Sequence, residues 1–269
     1  MTALAARRRH PLALVLLLSV GLMITGALYA ALAPQPAAAS AASANADDIT
    51  QGKKLFLANC STCHGKNAEG LSDREGKEMV GPSLIGVGAA SVDFQVGTGR
   101  MPLAGPGPQG PQGPVRFSDE ETRQLAAYVA SLAPGPVVPD AELASGEGGD
   151  VALGGELFRV NCAMCHNFAG AGGALTRGKY APPIEGISGQ HIYEAMTTGP
   201  QAMPVFNDAN ISPENKRDII AYINTVQEES AAGGMPLGNL GPVVEGLFAW
   251  VVGIGALIGT AVWLGAKAA

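Results

Sequence analysis

The 269-residue chain reads as mainly helical, with two tandem copies of one small helical domain held between an apolar helix near each end. Three observations carry that reading. The string Cys-x-x-Cys-His occurs twice, from Cys60 to His64 and from Cys162 to His166, and the two copies use all 4 cysteines. The flanking residues repeat at a constant spacing of 102 positions, the distance from Cys60 to Cys162. Long uncharged apolar runs lie near both termini.

The elements follow in chain order. Arg7, Arg8 and Arg9 precede an uncharged run from Pro11 to Ala33. At about 1.5 Å per residue such a helix is long enough to cross a bilayer. Residues 1–34 are therefore expected as a membrane anchor or signal-anchor. A cleaved signal peptide is the alternative: the run exceeds the usual apolar core and Pro34 disfavours cleavage after Ala33, but cleavage after Ala39 stays open. Residues 35–47 are an Ala/Pro/Ser-rich linker, 48–133 the first domain, 134–150 a Pro/Gly-rich linker, 151–229 the second domain and 230–241 a third linker. Residues 242–265 form the C-terminal span, whose apolar stretch from Leu247 to Leu264 has Trp250 and Trp263 near its ends, as an interfacial belt requires.

Within the repeat, Gly52-x-x-Leu55-Phe56-x-x-Asn59-Cys60 matches Gly154-x-x-Leu157-Phe158-x-x-Asn161-Cys162, helical spacing that leads into each motif. Gly81-Pro82-Ser83-Leu84 corresponds to Ala181-Pro182-Pro183-Ile184. Met101-Pro102 and Met203-Pro204 each begin 37 residues after the motif histidine. A closing helix follows, opened by a capping box from Ser118 to Glu121 in the first copy and by Pro213 in the second. Phe56, Phe158, Tyr128 and Tyr222 are placed to pack the first helix of each copy against the last. Between methionine and closing helix the first copy is 8 residues longer, owing to the Pro/Gly-rich segment from Ala104 to Pro114, which reads equally as a plain surface loop or as a docking element.

Two thiols three positions apart can add to the two vinyl groups of one porphyrin while the next residue's imidazole reaches the iron. Cys60, Cys63, Cys162 and Cys165 are thus expected to carry two covalently bound haems c. A zinc site assembled from both pairs would not require a histidine after each, and two short disulfides would constrain the unfolded chain little. Neither alternative accounts for the repeat. Met79, Met164, Met196 and Met235 have no partner at the repeat spacing and read as core filler. His191 falls opposite Ala89 and reads as part of a solvated helix face.

The formal charge is −6. All 23 acidic residues lie between the two apolar runs, Pro11–Ala33 and Leu247–Leu264, and 17 basic residues less Arg7, Arg8, Arg9 and Lys267 leave 13 there, so the intervening part carries about −10. That excess argues against nucleic acid and against adhesion to anionic lipid. Three arginines before the first span and Lys267 after the second place both ends in the cytoplasm and the repeats outside.

The order of parts in each repeat resembles the small monohaem cytochrome c fold. That resemblance implies His64 and Met101 as axial ligands of the first haem iron, and His166 and Met203 of the second. It also implies that the carbonyls of Pro82 and Pro182 orient the histidines, with Pro183 leaving the choice in the second copy open. The fold class is then mainly α: two tandem monohaem cytochrome c domains between an N-terminal and a C-terminal transmembrane helix. Taken whole, the chain is similar to the dihaem cytochrome c subunit of the actinobacterial quinol–cytochrome c reductase, the cytochrome bc complex of the bc–aa supercomplex. The resemblance implies a membrane-anchored electron carrier of the aerobic respiratory chain on the outer face of the plasma membrane. It would take electrons from a Rieske iron-sulfur subunit beside a cytochrome b subunit and pass them to an aa-type cytochrome c oxidase, the first haem domain meeting the Rieske head. No catalytic chemistry is expected of the isolated subunit. A freestanding membrane-anchored shuttle remains an alternative. A dihaem subunit of a cbb-type oxidase is expected to have one anchor, and a dihaem peroxidase needs an open sixth position on one iron.

Overall fold

The computed structural model describes residues 11–32, 45–72, 79–103, 105, 107–228, 237 and 242–267. Most of the linkers expected at 35–47 and 230–241 lie outside the described residues, as does Met235. The chain divides into a unit from Met1 to Ala42 and a second from Ser43 to Ala269. The first unit contains helix α1, Pro11–Leu32, with a shorter apolar stretch at Val15–Tyr29 and no charged residue in its terminal turns.

In the second unit, the first repeat forms α2 (Ala46–Asn59), the one-turn helix α3 (Ser61–His64), strands β1 (Leu71–Ser72) and β2 (Met79–Gly81), α4 (Gly88–Gly97) and α5 (Asp119–Ala130). After α6 (Ala141–Ser145), the second repeat forms α7 (Val151–Asn161), α8 (Ala163–His166), β3 (Gly173–Ala174), β4 (Tyr180–Ala181), α9 (Gly189–Thr198) and α10 (Pro213–Glu228). Each strand pair is antiparallel and occupies the same place after its motif. Ladders of two residues carry no periodic signal, so the sequence offered no strand.

Both repeats close by crossing their first helix over their last. The crossing is tight because a glycine stands at it: a Cβ on Gly52 would collide with the carbonyl oxygen of Gln124, and one on Gly154 with that of Asp218. Next to each glycine an aromatic pair locks the two helices, Phe56 with Tyr128 at 5.2 Å between ring centroids and Phe158 with Tyr222 at 5.4 Å. Phe56 and Phe158 are each 1% exposed and anchor the two cores. The capping box expected at Ser118 is present: Ser118 Oγ accepts from Glu121 N, and Ser118 N donates to Glu121 Oε2 at 2.9 Å. At the start of α10, Ser212 Oγ accepts from Asn215 N while Pro213 takes the first helical position.

The segment 134–150 differs from a free linker. Pro136 O accepts from Ala90 N at 3.1 Å, and α6 is held against α10 by Asn224 Nδ2 donating to Ser145 O at 2.9 Å. A Cβ on Gly189 would strike Ala144 O, so α6 also sits directly on α9. Pro and Gly here shape a packed connection instead of a loose tether.

Helix α11, Pro242–Lys267, starts five residues before the apolar run and is long and apolar enough to cross a membrane, with no part of its apolar window buried. A long helix that is apolar all round and unburied among the described residues suits lipid as its solvent. Lys267 Nζ lies 4.5 Å from the Trp263 ring centroid.

Two cofactor clefts that share a wall

In each repeat the first helix runs into a single turn that carries the motif. His64 N donates to Cys60 O and His166 N to Cys162 O, both at 2.9 Å, so the histidine is held one turn from the first cysteine. His64 Nδ1 lies 2.8 Å from Pro82 O, and His166 Nδ1 lies 3.0 Å from Pro182 O. A carbonyl can only accept, so Nδ1 carries the proton and Nε2 keeps its lone pair for a metal. Pro182, and not Pro183, supplies this carbonyl in the second repeat. Burial lowers the His166 pKa, against the opposing hydrogen bond to Pro182, which keeps this imidazole neutral.

Each motif faces a cleft of its own. Phe56, Cys60, His64, Pro82 and Met101 line the first, about 1000 Å³ of atom-free space; Phe158, Cys162, Cys165, His166, Pro182 and Met203 line the second, about 1310 Å³. Cys63 is exposed. Histidine and methionine thus meet in one cleft per repeat, and among the described residues the four cysteines do not gather into one site. Burial, reinforced by the neighbouring cysteine, pushes the Cys60 thiol up to about 11 and the Cys162 thiol up to about 12. Two apolar clefts, each with motif cysteines, an imidazole aimed by a carbonyl and a thioether, fit a haem c.

The remaining methionines and His191 divide. Met196 is 2% exposed and fills the second core, as its lack of a repeat partner indicated, whereas Met164 is 87% exposed and fills nothing. His191 departs from the solvated face expected for it: its Nε2 lies 3.6 Å from Asp93 Oδ2, and its ring meets Phe94 edge-on at 6.1 Å. The repeat spacing could not reveal this, because the partner lies in the other repeat.

Helices α4 and α9 make the junction between the repeats. Gln190 Nε2 donates to Asp93 Oδ2 at 2.8 Å, bridging to Glu194 Oε1 at 3.3 Å. Burial raises the Glu194 pKa, helped by the charge of Asp93, to about 9. Burial also works against ionisation of Asp93, but hydrogen bonds from His191, Glu194 and Gln190 outweigh it and hold its pKa low. Asp93 keeps the charge and Glu194 the proton. The Pro/Gly-rich loop joins this junction: Gln109 Oε1 accepts from Tyr180 N, and Gln201 Oε1 accepts from Gly110 N, both at 3.0 Å. Each cleft borrows residues from the other repeat. Phe94, Arg100 and Gln109 of the first line the second cleft, and Thr198, Gly199, Pro200 and Gln201 of the second line the first.

Comparison with known proteins agrees with this architecture. Residues 49–133 match the family model for cytochrome c, and residues 149–223 that for cytochrome c oxidase, cbb3-type, subunit III. Three relatives are described as the cytochrome bc1 complex cytochrome c subunit. The one from Corynebacterium efficiens is 45% identical over 276 residues, covering 96% of this chain and 90% of the relative. That from Mycobacterium bovis is 44% identical, with 97% and 93% covered, and that from Mycobacterium leprae 46%, with 94% and 87%.

Proposed function

The chain belongs to the family of cytochrome c subunits of the cytochrome bc1 complex, and on that premise we propose that it carries electrons from a Rieske iron-sulfur subunit, through two covalently bound haems c, to a terminal aa-type cytochrome c oxidase. Its membership makes it a membrane-associated haem protein of electron transport within an oxidoreductase complex. The finer reading rests above all on one observation: two clefts, each with its own Cys-x-x-Cys-His motif and methionine, that share a wall.

In this reading Cys60 and Cys63 hold the first haem covalently, with His64 and Met101 as its axial ligands. Cys162, Cys165, His166 and Met203 do the same for the second. Haem c supplies reversible one-electron chemistry when bound. The imidazole and the thioether in each cleft would hold the iron from the protein, a pair that favours the ferrous state and would leave no room for a substrate there. Pro82 and Pro182 fix the orientation of the imidazoles. Pro200 and Gln201 line both clefts and form the wall between them.

The domains are taken as 48–133 and 151–229, between spans at 1–34 and 242–265, with both termini cytoplasmic and the haem domains on the outer face of the plasma membrane. The partners are a Rieske subunit and a cytochrome b subunit on the reducing side, at the first domain, and the oxidase at the second. Purification from membranes in mild detergent through a tag on this chain tests the assembly. Haem b and a Rieske cluster should co-purify in fixed ratio to haem c. Haem c alone, under conditions that keep other membrane complexes intact, would instead identify a freestanding shuttle.

A further inference from the structure

Arg100 belongs to the first repeat, directly before Met101, yet its side chain lines the second cleft. It is only 8% exposed. Its Nη1 is buried without a hydrogen-bond partner, and among the described residues no carboxylate pairs with it. The guanidinium carbon sits 4.8 Å from the Phe94 ring centroid, which fixes the plane of the group without supplying an acceptor. A buried cation with donors unmet is costly, and proteins keep one where an anion completes it. Arginine suits a carboxylate in particular, since its planar fork matches the two oxygens.

The second repeat has Ala202 at the position matching Arg100, so the first cleft receives no such cation in return. Nearby groups do not take up the donors: among the described residues no side chain accepts from Arg100 Nη1, and Gln109 Oε1, in the same cleft, accepts from Tyr180 N. A haem carries two propionate carboxylates, the only acidic groups that the cofactor proposed for this cleft would bring.

We propose that Arg100 is a positioning residue that acts across the repeat boundary: it holds a propionate of the haem in the second cleft and thereby sets that haem's potential from within the first domain. The inference rests on the two-haem reading above. A fixed positive charge beside a haem disfavours the more positive ferric state, and neutralising a propionate acts in the same direction. The arrangement also ties the cation to the chain segment that presents Met101, so the two clefts are coupled electrostatically through one backbone.

The test is a spectroelectrochemical titration of both c haems in the complete detergent-solubilised assembly, with haem c per chain measured on the same samples. Arg100→Gln should lower the potential of the second haem, shifting its ferric-to-ferrous ratio about tenfold, which is about 59 mV for one electron. Arg100→Lys should recover most of the shift. Arg100→Leu, which removes the charge without leaving a buried amide, should match Arg100→Gln and covers the case in which the amide prevents assembly. The second haem is identified by repeating the titration in a Met203→His background. Equal potentials in wild type, Arg100→Gln and Arg100→Leu, or a shift confined to the first haem, would overturn the inference while two haems per chain are still found. Fewer than two haems per chain in the wild type would instead sink the reading on which it rests.

Discussion

The two repeats agree where each faces its own cleft and differ where they face each other. Gly52 and Gly154, Phe56 and Phe158, Tyr128 and Tyr222, Pro82 and Pro182, and Met101 and Met203 are the same residue in each pair and do the same structural work. Along α4 and α9 and just past their ends, the spacing of 102, that from Cys60 to Cys162, pairs Ala89 with His191, Val92 with Glu194, Asp93 with Ala195 and Arg100 with Ala202. Every polar member of those four pairs is drawn into the junction or the neighbouring cleft. In the proposed reading the matched residues make two equivalent cofactor clefts, and the unmatched ones tie those clefts together. The interiors diverge too: Lys216, wholly buried, donates to Asp208 at 2.6 Å at the place where the first repeat has the buried Thr122.

The equivalence of the clefts can be broken most severely at the thioethers. Replacing Cys162 and Cys165 by Ala should halve the haem c that stays bound under denaturing conditions, and the change at Cys60 and Cys63 should remove the other half. Haem staining of denaturing gels, normalised to protein, measures both. Equal loss from either pair sharpens the comparison; total loss from one pair would mean that the second repeat cannot fold without the first.

Met101→His and Met203→His should each lower one midpoint potential, by on the order of 100 mV, because a second imidazole stabilises the ferric state. Redox titration follows this. Separate domains would leave the unmutated haem in place; the shared wall instead leads us to expect a smaller shift in it as well.

The helix crossings should prove interchangeable. Gly52→Ala and Gly154→Ala each force a methyl group against a carbonyl oxygen and should cost about 1 to 3 kcal/mol. Thermal melts of the assembled protein, followed at the haem bands, should show similar decreases for the two variants.

The smallest effect concerns the junction alone. Glu194 has its pKa raised by burial to about 9 from an ordinary 4.5, so between those values the folded chain holds a proton that the unfolded chain has released. That contribution to stability is fully present below about 4.5 and is lost as pH rises through about 9. Glu194→Gln should therefore flatten the fall in melting temperature over that range and have no counterpart in Val92→Gln, where the first repeat has no partner for an amide.

Much of the site was legible in the chain because it repeats. The motif cysteines, the histidines and the methionines stand at matched positions, as do Gly52 with Gly154 and Phe56 with Phe158, while Tyr128 and Tyr222 hold the same place in each closing helix. The junction was not, for the same reason: His191 read as solvated because its repeat partner is Ala89, whereas its physical partner is Asp93, 98 positions earlier. The Pro/Gly loop left two readings open, and its contacts to Tyr180 and Gln201 make it a brace against the second repeat. Arg100 had a signal, as a charge set against Ala202 directly before a candidate ligand, but only the folded chain places it on the second cleft.

The central claim is that one chain carries two covalent haems in equivalent clefts. The intact mass of the unfolded chain tests it most directly. The account expects the mass of the polypeptide plus two haems, retained after acid extraction; a mass with one haem or none, or porphyrin released by acid, would contradict it.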